Sequence, residues 1–521
     1  MHSNDQARPP FSRRDFLATT GATLALAACG DSSSPQTQAR KRPNILFLFP
    51  DQMRGQAMGC MGHPDVLTPN LDQLASEGLL FRNTFANTPV CCPARANILT
   101  GKYAHSNGMI ANDLRLRESE TSVAQILGGA GYRTGFIGKW HLDGGKRQPG
   151  WIPPGPRRQG FEFWAANQVS HQHFDTHYYR DVEEPIAIKT FEPEVWTDLG
   201  IEFLKETAND GRPFFLTVQM GPPHDPYLAP EKYMEMYDPE KITLRPNFDG
   251  DTSDRPLAPS PYREGNAPGR KEIAAYYAMI TAVDEQIGRI LKELDDLGLS
   301  EDTIVLFSSD HGAMLGSHAK RVKRKPWEES IRVPGIVRYP RAANGEAMEG
   351  KVTDALFTHV DFAPTLLSLC GIDVPPAMQG SDLSPVILGK PDQAGKSDQG
   401  PDSAFFQIFG PFHAGGVEFS WRGVRTQRYM YARRESEPWV LYDLENDSYE
   451  LKNLANDPNS VEIRETLEEK LAEWMKKTGD SWAFDWTAPL EDNGRLYKHE
   501  TFYTVDEFME WAKEHPDLAD L

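Results

Sequence analysis

Apolar runs alternate with amphipathic segments from residue 41 to about residue 397. Continuous apolar runs predict strands that are buried on both faces, and apolar positions at helical spacing predict helices between them. The predicted elements are strands over 44–49, 131–137, 213–219, 303–307 and 333–338, and helices over 69–77 and 271–297. This alternation is typical of an α/β fold with a mostly parallel sheet between helices.

The pattern changes after a polar stretch at 392–402. Beyond it, 404–442 alternates in strand fashion and 461–477 predicts an amphipathic helix. We therefore predict a large domain over 41–397 and a smaller C-terminal α+β domain over 398–521, with an antiparallel sheet and a helix.

The N-terminal residues 1–29 predict an export signal. Arg13 and Arg14 precede an apolar stretch, 16–28, that is too short to span a bilayer. The stretch ends in Leu-Ala-Ala-Cys29, which resembles a lipobox, although an ordinary cleaved signal is the alternative. We expect export by the twin-Arg translocase, a flexible tether over 30–40, and a periplasmic or cell-surface protein anchored to a membrane by lipid at Cys29.

Composition narrows the classes of partner. The chain has 521 residues and a net charge of −20, which argues against nucleic acid as a partner. An anionic substrate would need a local basic patch, and the run 320–325 is basic. This run is either a solvated charge run or a wall for a polyanionic substrate. Five cysteines are too few for a disulfide scaffold, so we expect Cys60 and Cys370 to be buried thiols.

Polar clusters follow four of the predicted strands. Because residues just past the ends of parallel strands converge on one crevice, we expect these clusters to meet. They comprise Asp51, then Lys139 with His141, then His224, then Asp310 with His311.

Two of these clusters could hold a metal ion. Asp51 and Asp310 offer the hard oxygen ligands that Ca²⁺ and Mg²⁺ prefer, and Gln52 and His311 adjoin them. An imidazole ligand widens the choice to Mn²⁺ or Zn²⁺. Taken singly, Asp51 could instead cap a strand end, and 310–312 could form a turn.

The segment Cys91-Cys92-Pro93-Ala94-Arg95 predicts a loop that enters a helix. A helix N-terminus favours anions, so a nucleophile with Arg95 there suits sulfate or phosphate. The residues alone also allow a buried thiol pair or a reactive thiolate.

Seven segments together resemble the formylglycine-dependent type I sulfatases, which include arylsulfatases and N-acetylglucosamine-6-sulfatase-like members of the alkaline phosphatase superfamily. The resemblance extends over about 41–480, with all the motifs in the family's order. The matching segments are Arg42–Asp51, Cys91–Gly101, Gly131–His141, Pro223–Tyr227, Ser309–Gly312, Trp327–Pro334 and Leu441–Leu444.

The resemblance implies an alkaline-phosphatase-like fold and the hydrolysis of sulfuric esters. Cys91 would be oxidised to formylglycine by a cytoplasmic formylglycine-generating system and then hydrated to a diol. One hydroxyl would attack sulfur, and the other would later release sulfate. The expected metal is Ca²⁺, with Mg²⁺ or Mn²⁺ as alternatives. Its implied ligands are Asp51, Gln52, the residue at 91, Asp310 and His311.

The resemblance also implies roles for the basic residues. Arg95, Lys139 and Lys323 would stabilise charge on the sulfuryl group. His141 would act as acid and base on the diol, and His224 would protonate or hydrogen-bond the leaving oxygen.

Three positions depart from the common family pattern or are ambiguous. Gln52 stands where many sulfatases have Asp, and His311 where Asn is frequent, so the metal's identity stays open. Lys323 and Lys325 both suit the motif lysine, and spacing favours Lys323, which lies four residues before Trp327.

Export, the basic run and Trp- and His-rich loops favour a sulfated carbohydrate substrate, with an aryl sulfate as the alternative. We include Arg321, Lys325 and His413 as candidate substrate-binding residues, although His413 could equally be a core or surface residue. The histidines at 171, 173 and 177 predict a substrate rim or a loose metal site. Two other functions stay open, namely a phosphonate monoester or phosphodiester hydrolase on this scaffold and a non-catalytic glycan-binding lipoprotein.

Overall fold

A computed structural model describes the backbone and side chains of residues 42–144, 150–208, 210–249, 269–340, 350–389, 400–410 and 419–482, and the backbone of a hairpin at 491–492 and 495–496. The predicted signal and tether, the 397/398 boundary and His413 lie outside these residues, so those predictions stay open. Within the described residues, we find no helix of the length and apolar character needed to cross a membrane.

The large sheet is mixed and mostly parallel. Its strands are β1 (Asn44–Pro50), β2 (Leu79–Phe85), β3 (Arg133–Lys139), β4 (Phe163–Asn167), β7 (Phe214–Met220), β8 (Thr303–Phe307), β9 (Arg332–Val333), β10 (Ile336–Arg338) and β11 (Lys351–Thr358). They run in the order β11-β2-β10-β8-β1-β7-β3-β4, and β9 pairs with β2. Only pairs that involve β9 or β10 are antiparallel among these described strands. A separate antiparallel pair is formed by β5 (Thr176–Tyr178) and β6 (Ile186–Ile188).

Helices cover both faces of this sheet. They are α1 (Pro69–Glu77), α2 (Cys91–Thr100), α3 (Ala104–Asn107), α4 (Val123–Gly129), α5 (Glu192–Thr207), α6 (Glu231–Met234), α7 (Arg270–Asp296), α8 (Glu328–Ile331), α9 (His359–Leu369) and α10 (Ser384–Ile387).

The central strand β1 shows why its sequence is apolar throughout. It pairs in parallel with β7 on one side and β8 on the other, so both of its faces are covered. Phe47 and Phe49 pack into the core on one face, while Leu46 and Leu48 pack into the core under α7 on the other. Each such buried side chain stabilises the fold by about 1.5–3 kcal/mol.

The C-terminal part forms a second, antiparallel sheet, as predicted. Its strands are β12 (Ser403–Ile408), β13 (Trp421–Thr426), β14 (Tyr429–Arg433) and β15 (Pro438–Asp443), in sequence order. Helix α11 (Val461–Thr478) packs Leu467 and Leu471 against Phe405 and Tyr431 of this sheet. The last described elements, β16 (Glu491–Asp492) and β17 (Arg495–Leu496), pair with each other.

Four of the five predicted strands differ from their predicted bounds, and β1 and β7 do so by only one residue at an end. The strand predicted at 131–137 continues to Lys139, because Gly138 takes the left-handed region with φ 104° and lets β3 approach β7. A Cβ atom on Gly138 would lie 1.8 Å from the Gln219 carbonyl oxygen. The strand predicted at 333–338 is split into β9 and β10, because Pro334 between them has no N–H for a sheet hydrogen bond.

Candidate active site

The four polar clusters converge where their strands end, as predicted. Lys139, the last residue of β3, places Nζ 2.7 Å from Oδ2 of Asp51, which follows β1. His311, after β8, places Nε2 3.7 Å from Oδ1 of Asp51. His224, after β7, places Nε2 3.0 Å from Nζ of Lys323, which also contacts Gln52, the neighbour of Asp51. The doubly wound sheet therefore brings residues that are far apart in sequence into one buried site.

Cys91 is the first residue of helix α2 and is buried in this site. Its Sγ lies 3.2 Å from Nε2 of His311 and 3.5 Å from Nζ of Lys323. Burial raises the pKa of the Cys91 thiol above its ordinary value, although Lys323 acts against it. Burial therefore disfavours the thiolate form of the unmodified residue.

Four side chains form a cage that suits a divalent cation. One potential ligand atom from each of Asp51, Cys91, Asp310 and His311 lies within 4.8 Å of the others, and all four residues are buried. Oδ1 of Asp51 is buried and has no hydrogen-bond partner among the described residues. A buried, unpaired carboxylate oxygen is costly, so the donor set fits a bound cation that would take this oxygen as a ligand.

The two carboxylates of the cage differ in how strongly nearby cations favour their charged forms. Burial would raise the pKa of Asp51, but the charges of Lys139 and Arg95 hold it well below its usual value. Burial, together with the charge on Asp51, raises the pKa of Asp310 to about 6. Two carboxylates this close oppose each other's ionisation, and a cation between them would favour the charged form of both.

The two histidines present their Nε2 atoms to the site. Nδ1 of His311 lies 2.9 Å from the Gly312 carbonyl oxygen, and Nδ1 of His224 lies 2.7 Å from that of Asp225. Each Nδ1–H therefore donates to the backbone, which leaves Nε2 with its lone pair. Burial, reinforced by Lys323, lowers the pKa of both rings well below the ordinary value, so both are neutral at neutral pH.

Arg95 connects the carboxylates of the cage to the ends of strands β3 and β7. It lies one helical turn after Cys91, and its Nη2 donates to Oδ2 of Asp51 at 2.9 Å and to Oδ2 of Asp310 at 3.1 Å. Its Nη1 donates to the Lys139 carbonyl oxygen at 2.9 Å and to Oε1 of Gln219. The guanidinium thus fixes both carboxylates relative to β3 and β7.

Gln52 adopts an unusual backbone conformation beside the cage. Its φ is 64°, a region that non-glycine residues seldom occupy. The Tyr276 hydroxyl donates to its carbonyl oxygen at 2.8 Å, and its own N–H donates to Asp310 at 2.9 Å. Its Oε1 accepts from Lys323 at 3.1 Å, while its Nε2 donates to Asp225. The side-chain amide oxygen of Gln52 therefore faces the ammonium of Lys323, the candidate catalytic lysine. An oxygen in this orientation could also serve as a ligand to a metal ion.

His141 lies two residues beyond β3 and is buried. Its φ is 55°, and its Nε2 lies 3.5 Å from Oδ1 of Asp113. The acid–base role implied for His141 stays a prediction.

The basic run 320–325 is not a solvated charge run. Arg321, Lys323 and Arg324 are buried, Lys325 is half-buried and Lys320 is exposed. Arg321 forms an ion pair with Glu272 on α7, which gives its charge a structural partner. Lys323 turns into the site and is the lysine of this run that reaches Cys91.

His171 and His173 both contact His224. The sequence alone did not indicate these contacts. The His171 ring stacks on the His224 ring, with centroids 4.4 Å apart. The His173 ring lies between Glu192, at 3.1 Å, and the His224 carbonyl oxygen, at 2.6 Å. His177 instead contacts Tyr179. Among the described residues these histidines do not form a metal-binding group.

This fold, with a buried carboxylate and imidazole cage around a cysteine at a helix N-terminus, suits a hydrolase of anionic esters that binds a metal ion. Comparison with known families is specific: the sulfatase family model matches residues 43–372, and the C-terminal model of N-sulphoglucosamine sulphohydrolase matches residues 316–477. The chain belongs to the sulfatase family, within the alkaline phosphatase superfamily, and is a sulfuric ester hydrolase.

Three relatives illustrate the similarity. The chain is 37% identical over 466 residues to the ulvan-active sulfatase of Formosa agariphila, covering 88% of this chain and 86% of that protein. It is 29% identical over 529 residues to the N-acetylglucosamine-6-O-sulfatase of Bacteroides thetaiotaomicron, covering 88% and 90% respectively. The solved structure of BT4656 in complex with its substrate D-glucosamine-2-N,6-O-disulfate matches with a TM-score of 0.72 and 27% identity, covering 85% of this chain and 99% of that chain.

The cage predicts a thermal response to Ca²⁺. Adding Ca²⁺ to chelator-treated protein should raise the melting temperature by several degrees, since ligand at 100 times Kd stabilises the native state by about 2.7 kcal/mol. Asp51→Asn should abolish this rise, because it removes a charged ligand. Asp354→Asn, which alters an exposed ion pair with Arg82, is the matched control and should respond like the wild type. Equal shifts in all three proteins would contradict the site.

Proposed function

We propose that this sulfatase is an exported, lipid-anchored enzyme that removes sulfate from sulfated carbohydrates, with a formylglycine derived from Cys91 and a bound divalent cation, Ca²⁺ being favoured. The carbohydrate assignment is supported by the relatives, whose names or solved complexes specify ulvan, N-acetylglucosamine and a disulfated glucosamine. Export is supported by the twin arginines and the lipobox-like Cys29 in the sequence.

The observation that carries the proposal is the position of Cys91. The residue begins a helix, its side chain lies within the carboxylate–imidazole cage, and Lys323 lies 3.5 Å from its Sγ. A formylglycine at this position would supply, once hydrated, a hydroxyl nucleophile and a second hydroxyl whose proton loss releases sulfate. A cation held by Asp51, Asp310, His311 and Gln52 would supply Lewis acidity.

The surrounding residues suit the binding of a sulfuryl group. Lys139 and Lys323 carry buried positive charges toward the site, where low dielectric strengthens their attraction for sulfate oxygens. Arg95 pairs with both Asp51 and Asp310, which reduces their repulsion of an incoming anion. These three cations compensate the charge that builds on the sulfuryl oxygens in the transition state.

His224 is placed to assist the leaving group. It is neutral, and its Nε2 accepts a hydrogen bond from Lys323 at 3.0 Å. In the proposed step, the Lys323 ammonium would transfer a proton to Nε2 of His224, and the same Nε2–H would then give it to the ester oxygen as the alcohol departs. Lys323 would be left neutral and would regain its proton from solvent before the next turnover. His171, stacked on the ring, and His173, bonded to its carbonyl group, fix the imidazole in place.

Substitution of the two adjacent cysteines, Cys91 and Cys92, should affect the sulfatase activity differently. Cys91→Ala should lower kcat/KM for an aryl sulfate by about 10⁴-fold or more, because the nucleophile is lost. Cys92→Ala should keep most of the activity, since Cys92 packs in the apolar core. Both variants are to be assayed with an aryl sulfate and with a phosphate diester that has the same leaving group.

The wild type should hydrolyse the sulfate ester faster. A faster reaction with the diester would favour the phosphonate monoester or phosphodiester alternative. Unchanged rates in Cys91→Ala would refute the proposed nucleophile, and no activity in the wild type on sulfated sugars would favour the glycan-binding lipoprotein.

The N-terminal signal is tested by fractionating cells. Arg13→Lys with Arg14→Lys should retain the protein in the cytoplasm, whereas Arg8→Lys, a basic residue before the motif, should leave export unchanged. Cys29→Ser should release exported protein from the membrane fraction. Membrane-bound Cys29→Ser protein would contradict the lipid anchor.

A further inference from the structure

A second group of ligand-type side chains lies outside the active-site cage. One potential ligand atom from each of His318, Glu329 and Glu450 lies within 4.8 Å of the others. They come from three separate segments, namely the loop between β8 and α8, helix α8 itself, and the chain that follows β15. We call these three residues the Glu329–Glu450 cluster.

Two carboxylate oxygens in this cluster are buried without a partner. Glu329 is fully buried, and its Oε1 accepts from Arg245 at 2.9 Å and from Asn247 at 2.8 Å. Glu450 is 1% exposed, and its Oε2 accepts from the Glu328 backbone N–H at 2.9 Å. Oε2 of Glu329 and Oε1 of Glu450 have no hydrogen-bond partner among the described residues. Burying such an oxygen is costly unless a ligand takes it.

The charges around the cluster leave one carboxylate uncompensated. Glu328 pairs with Arg425 and Arg332, and Glu329 pairs with Arg245. Within the described residues, Glu450 has only the backbone N–H of Glu328 as a donor. Burial and the neighbouring glutamates raise the pKa of Glu450 well above its usual value. Either a proton or a cation must therefore compensate this carboxylate.

The position of His318 indicates that a cation, and not a proton, compensates Glu450. Its Nε2 lies 3.2 Å from Nδ2 of Asn247, but the two amide hydrogens already go to Glu329 and, at 2.9 Å, to the Tyr449 carbonyl oxygen. The Nε2 lone pair is therefore not used by Asn247. Burial lowers the pKa of His318, so its ring is neutral and able to coordinate. The ring is held in place by stacking on Trp327, with centroids 4.7 Å apart.

We propose that Glu329, Glu450 and His318 bind a second divalent cation, a transition-metal ion such as Mn²⁺ or Zn²⁺. Two carboxylate oxygens and one imidazole nitrogen suit these ions better than Ca²⁺, which prefers an all-oxygen shell. The ion is coordinated by Oε2 of Glu329 and Oε1 of Glu450, and its charge compensates the carboxylate of Glu450. It also joins the loop that carries Lys323 to the C-terminal sheet, and its role is therefore structural.

The test counts bound metal on full-length protein by mass spectrometry of the elements after dialysis against Mn²⁺ or Zn²⁺. An Asp51→Asn background removes a charged ligand from the active-site cage. In that background, Glu450→Gln should bind one equivalent fewer than its parent. Glu445→Gln, which removes an exposed carboxylate that pairs with Arg428, is the matched control and should bind as much as the parent.

A second variant tests the site independently, in case Glu450→Gln does not fold. His318→Ala removes a half-buried ring and should weaken the affinity of this site for Mn²⁺ or Zn²⁺ at least tenfold while the protein stays folded. Equal metal content in the parent and in Glu450→Gln, with unchanged affinity in His318→Ala, would overturn the proposal and assign a shared proton to the two glutamates. Sulfatase activity is not the readout, so this result is independent of the proposed function.

Discussion

The buried pair of carboxylates at the ends of β1 and β8 is the constraint on which the site depends. Asp51 and Asp310 follow adjacent parallel strands, and removing two like charges from water is costly unless cations compensate them. Arg95 bonds to both carboxylates and Lys139 to one of them. A divalent cation in the cage would complete this compensation and leave the site positive toward a sulfate group.

The C-terminal sheet takes part in this arrangement by holding the loop that carries Lys323. The Trp421 indole N–H, on β13, donates to the Arg324 carbonyl oxygen at 3.1 Å. Arg425, on the same strand, pairs with Glu328 at the start of α8. The segment that directly follows Lys323 is thus held by the smaller sheet, so the position of the lysine depends on both parts of the chain.

Much of the fold could be predicted because the relevant signals are local. The buried strands read as continuous apolar runs, and the polar residues after them mark the site. Pro334 splits one predicted strand into two, and the close approach at Gly138 lets another continue to Lys139. The burial of the basic run could not be predicted, because Arg321 finds its partner, Glu272, 49 residues away on α7. The stacking of His171 on His224 likewise depends on tertiary contacts that spacing does not reveal.

The central claim is that Cys91, set in a cation cage, is converted to formylglycine. The most direct test is mass spectrometry of the tryptic peptide Asn83–Arg95 from protein made in its native host and shown to hydrolyse a sulfate ester. The account predicts a peptide in which oxygen has replaced H₂S at Cys91, which reacts with a hydrazide and retains an alkylatable thiol only at Cys92. A peptide from active enzyme with free thiols at both positions would contradict the account.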